Sequence, residues 1–111
     1  MNEQEIELSI QEATRIAELG KALERLKGNA DFNLLIGQTY FIDHAARTVS
    51  LLASPAMQRP EHQALLMSDL RAISELKQYL NMIHLEGEKA LASLKELEDE
   101  RALQLQEEGG E

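Results

Sequence analysis

The stretch from Leu66 to Leu97, LMSDLRAISELKQYLNMIHLEGEKALASLKEL, decides the fold. Its apolar residues recur at alternating spacings of three and four. Ile73, Leu76, Leu80, Ile83, Gly87, Ala90, Leu94 and Leu97 fill successive a and d positions of one heptad register. This is the pattern of a long helix with a narrow apolar seam, and such a seam needs a partner helix.

Upstream, Pro60 suits the first turn of that helix, where a missing N–H costs nothing, and Glu61 complements the dipole. No strong breaker follows until Gly109-Gly110. The expected helix, residues 60–106, is roughly 70 Å long at 1.5 Å per residue. Residues 107–111 are expected to fray into a disordered acidic tail. The segment from Ser54 to Pro60 is the one real loop.

Two earlier helices are expected. Residues 2–27 carry the stripe Ile6, Ile10, Ala13, Ile16, Leu19, Leu23 and Leu26, interrupted by Gly20 at a cost of about 1 kcal/mol relative to Ala. Gly28-Asn29 is a breakpoint, with Asn29 a good N-cap for residues 30–53. That second helix is apolar over more than half its circumference and should be buried on more than one side.

The second helix is about half as long as the third, so the distal half of the third needs another neighbour. If the first two helices run nearly end to end and the chain reverses at Met57, facing residue numbers sum to about 113. Leu26 then faces Gly87, Leu23 faces Ala90, Leu19 faces Leu94, Ile16 faces Leu97 and Glu12 faces Arg101. The expected fold is therefore all-α: a long, kinked, antiparallel hairpin of three helices. Burying a Leu or Ile contributes roughly 1.5–3 kcal/mol, set against about 1–2 kcal/mol of backbone entropy for each ordered residue. A lone hairpin buries too little, so self-association is expected, as a dimer or higher bundle around the second helix. The expected interface is Phe32, Leu35, Ile36, Tyr40, Phe41, Ile73, Leu76, Leu80 and Ile83.

Composition agrees. The 111 residues include no Cys or Trp, two Tyr and two Phe, so Leu, Ile and Ala must fill the core. Without cysteine there is no disulfide framework and no thiolate chemistry. The acidic amino terminus is unlike a signal peptide, no apolar run reaches membrane length, and a soluble intracellular protein is expected. The net charge of −9 divides as −2 over residues 1–27, −1 over 28–85 and −6 over 86–111. Such a balance opposes binding to nucleic acid or to an anionic membrane.

No residue set carries chemistry. His44, His62 and His84 lack the spacing of an inward-facing metal set, so no metal or other cofactor is expected. His84 and Glu88 are one turn apart, a surface pairing. No serine sits in a nucleophile elbow and no glycine-rich loop cradles phosphate, so catalysis is not expected. Asp43 and Arg47 are spaced for a helix-surface ion pair. Tyr40, Phe41, Met57, Met67, Tyr79 and Met82 read as core around the loop, with an adaptable binding groove as the rival reading. Gly87 and Ala90 mark either a close helix approach or a flexible point. The acidic residues Glu96, Glu98, Asp99 and Glu100 are the candidates for docking on a basic partner; a frayed solvated end and a mimic of DNA phosphates are the other readings of this terminus.

One resemblance adds to this. Asn29-Ala30-Asp31-Phe32, Gly37, Tyr40-Phe41, Ala45-Ala46-Arg47, Val49, Leu51-Leu52-Ala53, Pro55, Met57-Gln58 and Pro60-Glu61 are followed by Ile73, Leu76 and Gln78-Tyr79-Leu80. Over residues 23–88 this pattern resembles small helical proteins encoded by tailed bacteriophages near head and portal genes. The chain departs from them at Ala30, where a proline is expected. The resemblance implies a virion-assembly or virus-encoded accessory protein made in the cytoplasm of a bacterial host, and no defined activity. The leading expectation is a protein that acts by protein–protein contact in particle assembly, as scaffold, chaperone or minor head component, in the host cytoplasm or the virion. Its partners would be itself and a phage structural protein. The rival reading is an inhibitor that binds a host enzyme, against which Lys89, Lys95 and Arg101 count by interrupting the acids.

Overall fold

The computed structural model describes residues 1–109. Every regular element among them is helical. Helix α1 is Glu3–Lys27. Helix α2 is one continuous run over residues 30–52, composed of an α-helical turn at Ala30–Phe32, a π-helix at Asn33–His44 and an α-helix at Ala45–Leu52. A short 3₁₀ turn, Pro55–Met57, precedes helix α3, Pro60–Gly109. The last helix thus continues three residues beyond its expected end, and Glu107 and Glu108 are helical. The remainder of the expected tail, Gly110 and Glu111, lies outside the described residues. No helix among the described residues is long and apolar enough to cross a membrane.

The chain forms two compact units, one of Met1–Glu24 with Met82–Glu111 and one of Arg25–Asn81. In each, the α3 seam is covered as the heptad pattern requires. Ile73, Gly87 and Ala90 are buried, and Leu76, Leu80, Ile83, Leu94 and Leu97 are half-buried.

In the first unit α1 lies antiparallel to the distal part of α3. Asn2 caps α1, accepting from the Glu5 N–H at 2.8 Å and donating to the Glu5 carboxylate at 3.1 Å, which is a capping box. The facing stripe of α1 is Ile6, Ile10, Ala13, Ile16 and Leu23 of the expected set together with Ala17 and Gly20; only Leu19 and Leu26 of that set are exposed. Ala13, Ala17 and Ala90 form the buried centre, with Ile16, Leu94 and Leu97 packed against it. Leu19 and Leu26 are 48% and 42% exposed.

The register differs from the expected one for the same reason. Gly20, not Leu26, faces Gly87: a Cβ built on Gly20 would lie 3.1 Å from the Gly87 Cα. Arg101 pairs with Glu7, not Glu12, at 2.7 Å, and Gln104 donates to the Met1 carbonyl at 2.9 Å. Small residues on both helices let the backbones touch, so dispersion attraction acts between main chains that a seam of leucines would hold apart. The expectation that placed the reversal at Met57 and so made facing numbers sum to about 113 is displaced by five or six positions along α1. Gly87 and Ala90 mark a close approach.

The second unit pairs α2 with the proximal part of α3. Asn29 accepts from the Phe32 N–H at 2.9 Å, and Asn33 donates to the Lys27 carbonyl at 2.8 Å, so two asparagines four residues apart open one helix and close the one before it. The covered face of α2 steps in fours: Phe32, Ile36, Tyr40, His44, Thr48 and Leu52 are all buried or half-buried. An α-helix turns every 3.6 residues, so a face that repeats every fourth residue needs a wider turn. The π-helix, bonded five residues apart, supplies it. Within it Gln38 donates to Asp43 at 3.0 Å, five residues on. The Asp43–Arg47 ion pair expected from α-helical spacing does not form among the described residues.

Two glutamines close the turn between α2 and α3. Gln58 donates to the carbonyls of Leu52 and Ser54 at 2.9 and 2.7 Å. Gln63 donates to those of Leu52 and Met57 at 3.0 and 2.7 Å. Both occupy carbonyls that the end of α2 leaves without helical partners.

Two contrasts test this packing. Gly87→Ala builds a Cβ 2.9 Å from the Gly20 Cα, and such overpacking should lower unfolding stability by about 1–3 kcal/mol. At Gly37 the nearest atom to a new Cβ is the Asn33 Oδ1 at 3.9 Å, so Gly37→Ala should hold or raise stability by about 0.5–1 kcal/mol. Chemical denaturation of the two variants checks the order. Gln63→Leu, which strands the Met57 carbonyl and leaves Leu52 only its bond from Gln58, should cost about 1–3 kcal/mol in the same measurement.

Candidate interaction surfaces

What these elements hold on their surfaces differs sharply between the units. The first holds fifteen acidic and five basic residues, a net charge of −10. The second holds five acidic and six basic residues, a net charge of +1.

In the second unit the expected interface residues divide. Ile73 is 4% exposed and already covered inside the chain, so it has no surface to give a partner. Phe32, Ile36, Tyr40 and Phe41 lie on the covered face of α2, and Leu76 and Leu80 on the α3 seam, all half-buried. The Lys77 ammonium stands 5.5 Å from the centre of the Phe41 ring, and Tyr40 stacks on His44 with centroids 5.9 Å apart. Ile83, also half-buried, belongs to the first unit. Leu35 alone of the nine is open to solvent, at 63%.

The large apolar residues that do face outward from the second unit are Leu26, Leu34, Leu35, Ile42, Val49, Leu51, Leu65, Met67 and Tyr79. Stepping in fours along α2, Leu34, Gln38, Ile42 and Ala46 fall in line on its outer face, as the covered residues do on the inner one. The signal was in the sequence: apolar residues spaced by four, where a heptad reading looks for threes and fours. Buried side chains in this unit are few, namely Thr48, Leu66 and Ile73. Thr48 donates to the His44 carbonyl at 2.7 Å, and the His62 Nδ1 is buried without a hydrogen-bond partner.

In the first unit a trough of about 610 Å³ runs between α1 and α3. Glu96 and Glu100, two of the four acidic residues expected to dock a partner, line it; Glu98 and Asp99 stand outside it. The seam histidine, His84, has its Nδ1 3.5 Å from Glu24 on α1 and its Nε2 3.5 Å from Glu88. The expected surface pairing with Glu88 is present, together with a cross-helix neighbour that the spacing did not reveal. No group of three or more potential metal ligands is brought together among the described residues.

By fold this is an all-α protein of antiparallel helix pairs, with an apolar surface on one unit and an acidic trough on the other. No family model, curated protein or solved structure matches the chain.

Proposed function

We propose that this protein acts by protein–protein contact and not by catalysis, self-associating through the second unit during phage particle assembly. The observation that carries the reading is the outer face of that unit, where Leu34 and Leu35 are 61% and 63% exposed. Exposed apolar surface on a helix pair with so small a core marks an interaction site. Charge favours a second copy there. At +1 the unit brings no strong repulsion to a self-contact, whereas copies meeting through the −10 unit would repel each other. A two-fold contact of this kind joins two helix pairs into a four-helix bundle. The resemblance of residues 23–88 to phage-encoded helical proteins spans the whole of this unit, which supports assembly as the setting.

The mass in solution tests the contact. Light scattering should give at least twice the 12.5 kDa chain mass. The double variant Leu34→Asp, Ile42→Asp should return it to the single-chain value with helical content retained, since both side chains are exposed. A wild-type protein at the single-chain mass overturns the reading. Recovery of capsid or portal protein from infected cells would favour assembly, and recovery of a host nuclease or polymerase would favour the inhibitor.

A further inference from the structure

The trough on the first unit has the chemistry of a helix-binding site. Its floor is apolar, made by Ala13 and Ile16 of α1 and Ala90 and Leu97 of α3. Its rims are acidic, with Glu12 on one side and Glu86, Glu96 and Glu100 on the other. Lys89 is the single basic side chain among the lining residues, and the Met1 ammonium, 3.9 Å from Glu100, is the other positive group. Small side chains line much of the space, Ser9 and Ala13 from α1 and Ala90 and Ser93 from α3, where larger ones would fill the channel. From Glu86 to Glu100 the α3 rim runs about 21 Å at 1.5 Å per residue, about four helical turns.

We propose that this trough receives an amphipathic helix of a partner protein whose apolar stripe is flanked by Lys and Arg. The inference deepens the interaction reading above by naming the partner's chemistry, and it rests on a different unit from the self-contact. An apolar stripe laid on the Ala13, Ile16, Ala90 and Leu97 floor turns the helix pair into a three-helix bundle. Lys and Arg on either side of that stripe meet carboxylates on both rims, which sets orientation and speeds encounter. A second copy of this chain is the wrong occupant, because its own charge of −9 opposes approach to an acidic rim. The acids Glu98 and Asp99 stand off the trough and contribute only to the long-range field.

The test uses the full chain and a synthetic 14-residue helical peptide with a Leu/Ala stripe flanked by Lys, beside the same peptide carrying Glu for every Lys. Fluorescence anisotropy should show binding of the Lys peptide alone. Amide chemical-shift changes should centre on Ile16, Ala90 and Leu97. The exposed pair Glu12→Lys, Glu96→Lys should weaken binding about tenfold or more. Glu98→Lys, Glu108→Lys, which changes net charge equally but away from the trough, should stay within about twofold; rim contacts and distant charge separate in this way. Equal weakening by both pairs, shift changes centred on Leu34, Leu35 and Ile42, or no binding of the Lys peptide overturns the proposal. Circular dichroism establishes that each variant is folded. The solution mass of Glu12→Lys, Glu96→Lys should equal that of the wild type, so a failed self-contact and a failed trough give different results.

Discussion

Gly20 and Gly87 meet with backbone against backbone, so closely that an added Cβ on Gly87 would stand 2.9 Å from the facing Cα. Much of the first unit follows from that meeting. It sets which residue of α1 faces which residue of α3, and it draws Ala13, Ala17 and Ala90 into the buried centre. It leaves Leu19 and Leu26 outside. Each glycine costs about 1 kcal/mol of helix propensity relative to Ala, and the close packing of one main chain on the other offsets that cost. The trough follows as well, because a seam of small residues leaves room beside it.

The second unit solves the opposite problem. Its residues are large, and α2 must keep Phe32, Ile36, Tyr40, His44, Thr48 and Leu52 on one face although they recur every fourth position. The helix widens to a π form to do so. With the covered face aligned in this way, Leu34 and Ile42 are aligned on the far side, exposed among the described residues. Small residues drive the packing of one unit and large residues that of the other, and their surfaces separate accordingly into an acidic trough and a near-neutral apolar face.

The division of charge gives each surface a distinct kind of contact. A unit at −10 is suited to a basic partner and resists its own copies, while a unit at +1 presents apolar side chains with little field of either sign. The proposed self-contact and the proposed partner contact therefore fall on different parts of the chain. Arg101 reaches across to Glu7 inside the acidic unit; as a partly exposed pair it contributes little to stability.

The sequence by itself determined the all-helical character, the breaks at Gly28-Asn29 and Ser54–Pro60, and the α3 seam from Ile73 to Leu97. These depend on local propensity and on the period of one helix, which neighbouring residues encode directly. Glu96 and Glu100 were legible as members of an acidic run, because charge runs are visible in one dimension; that they line a trough between two helices was not. Register, the π-helix and the outward face of α2 were decided by tertiary structure. Register is a property of two helices: it depends on how near their axes come, and that distance was set by small residues that a hydrophobicity pattern passes over. The wide turn of α2 arose because a four-residue repeat had to stay against a neighbour of different period, a demand that exists only once the two helices are packed.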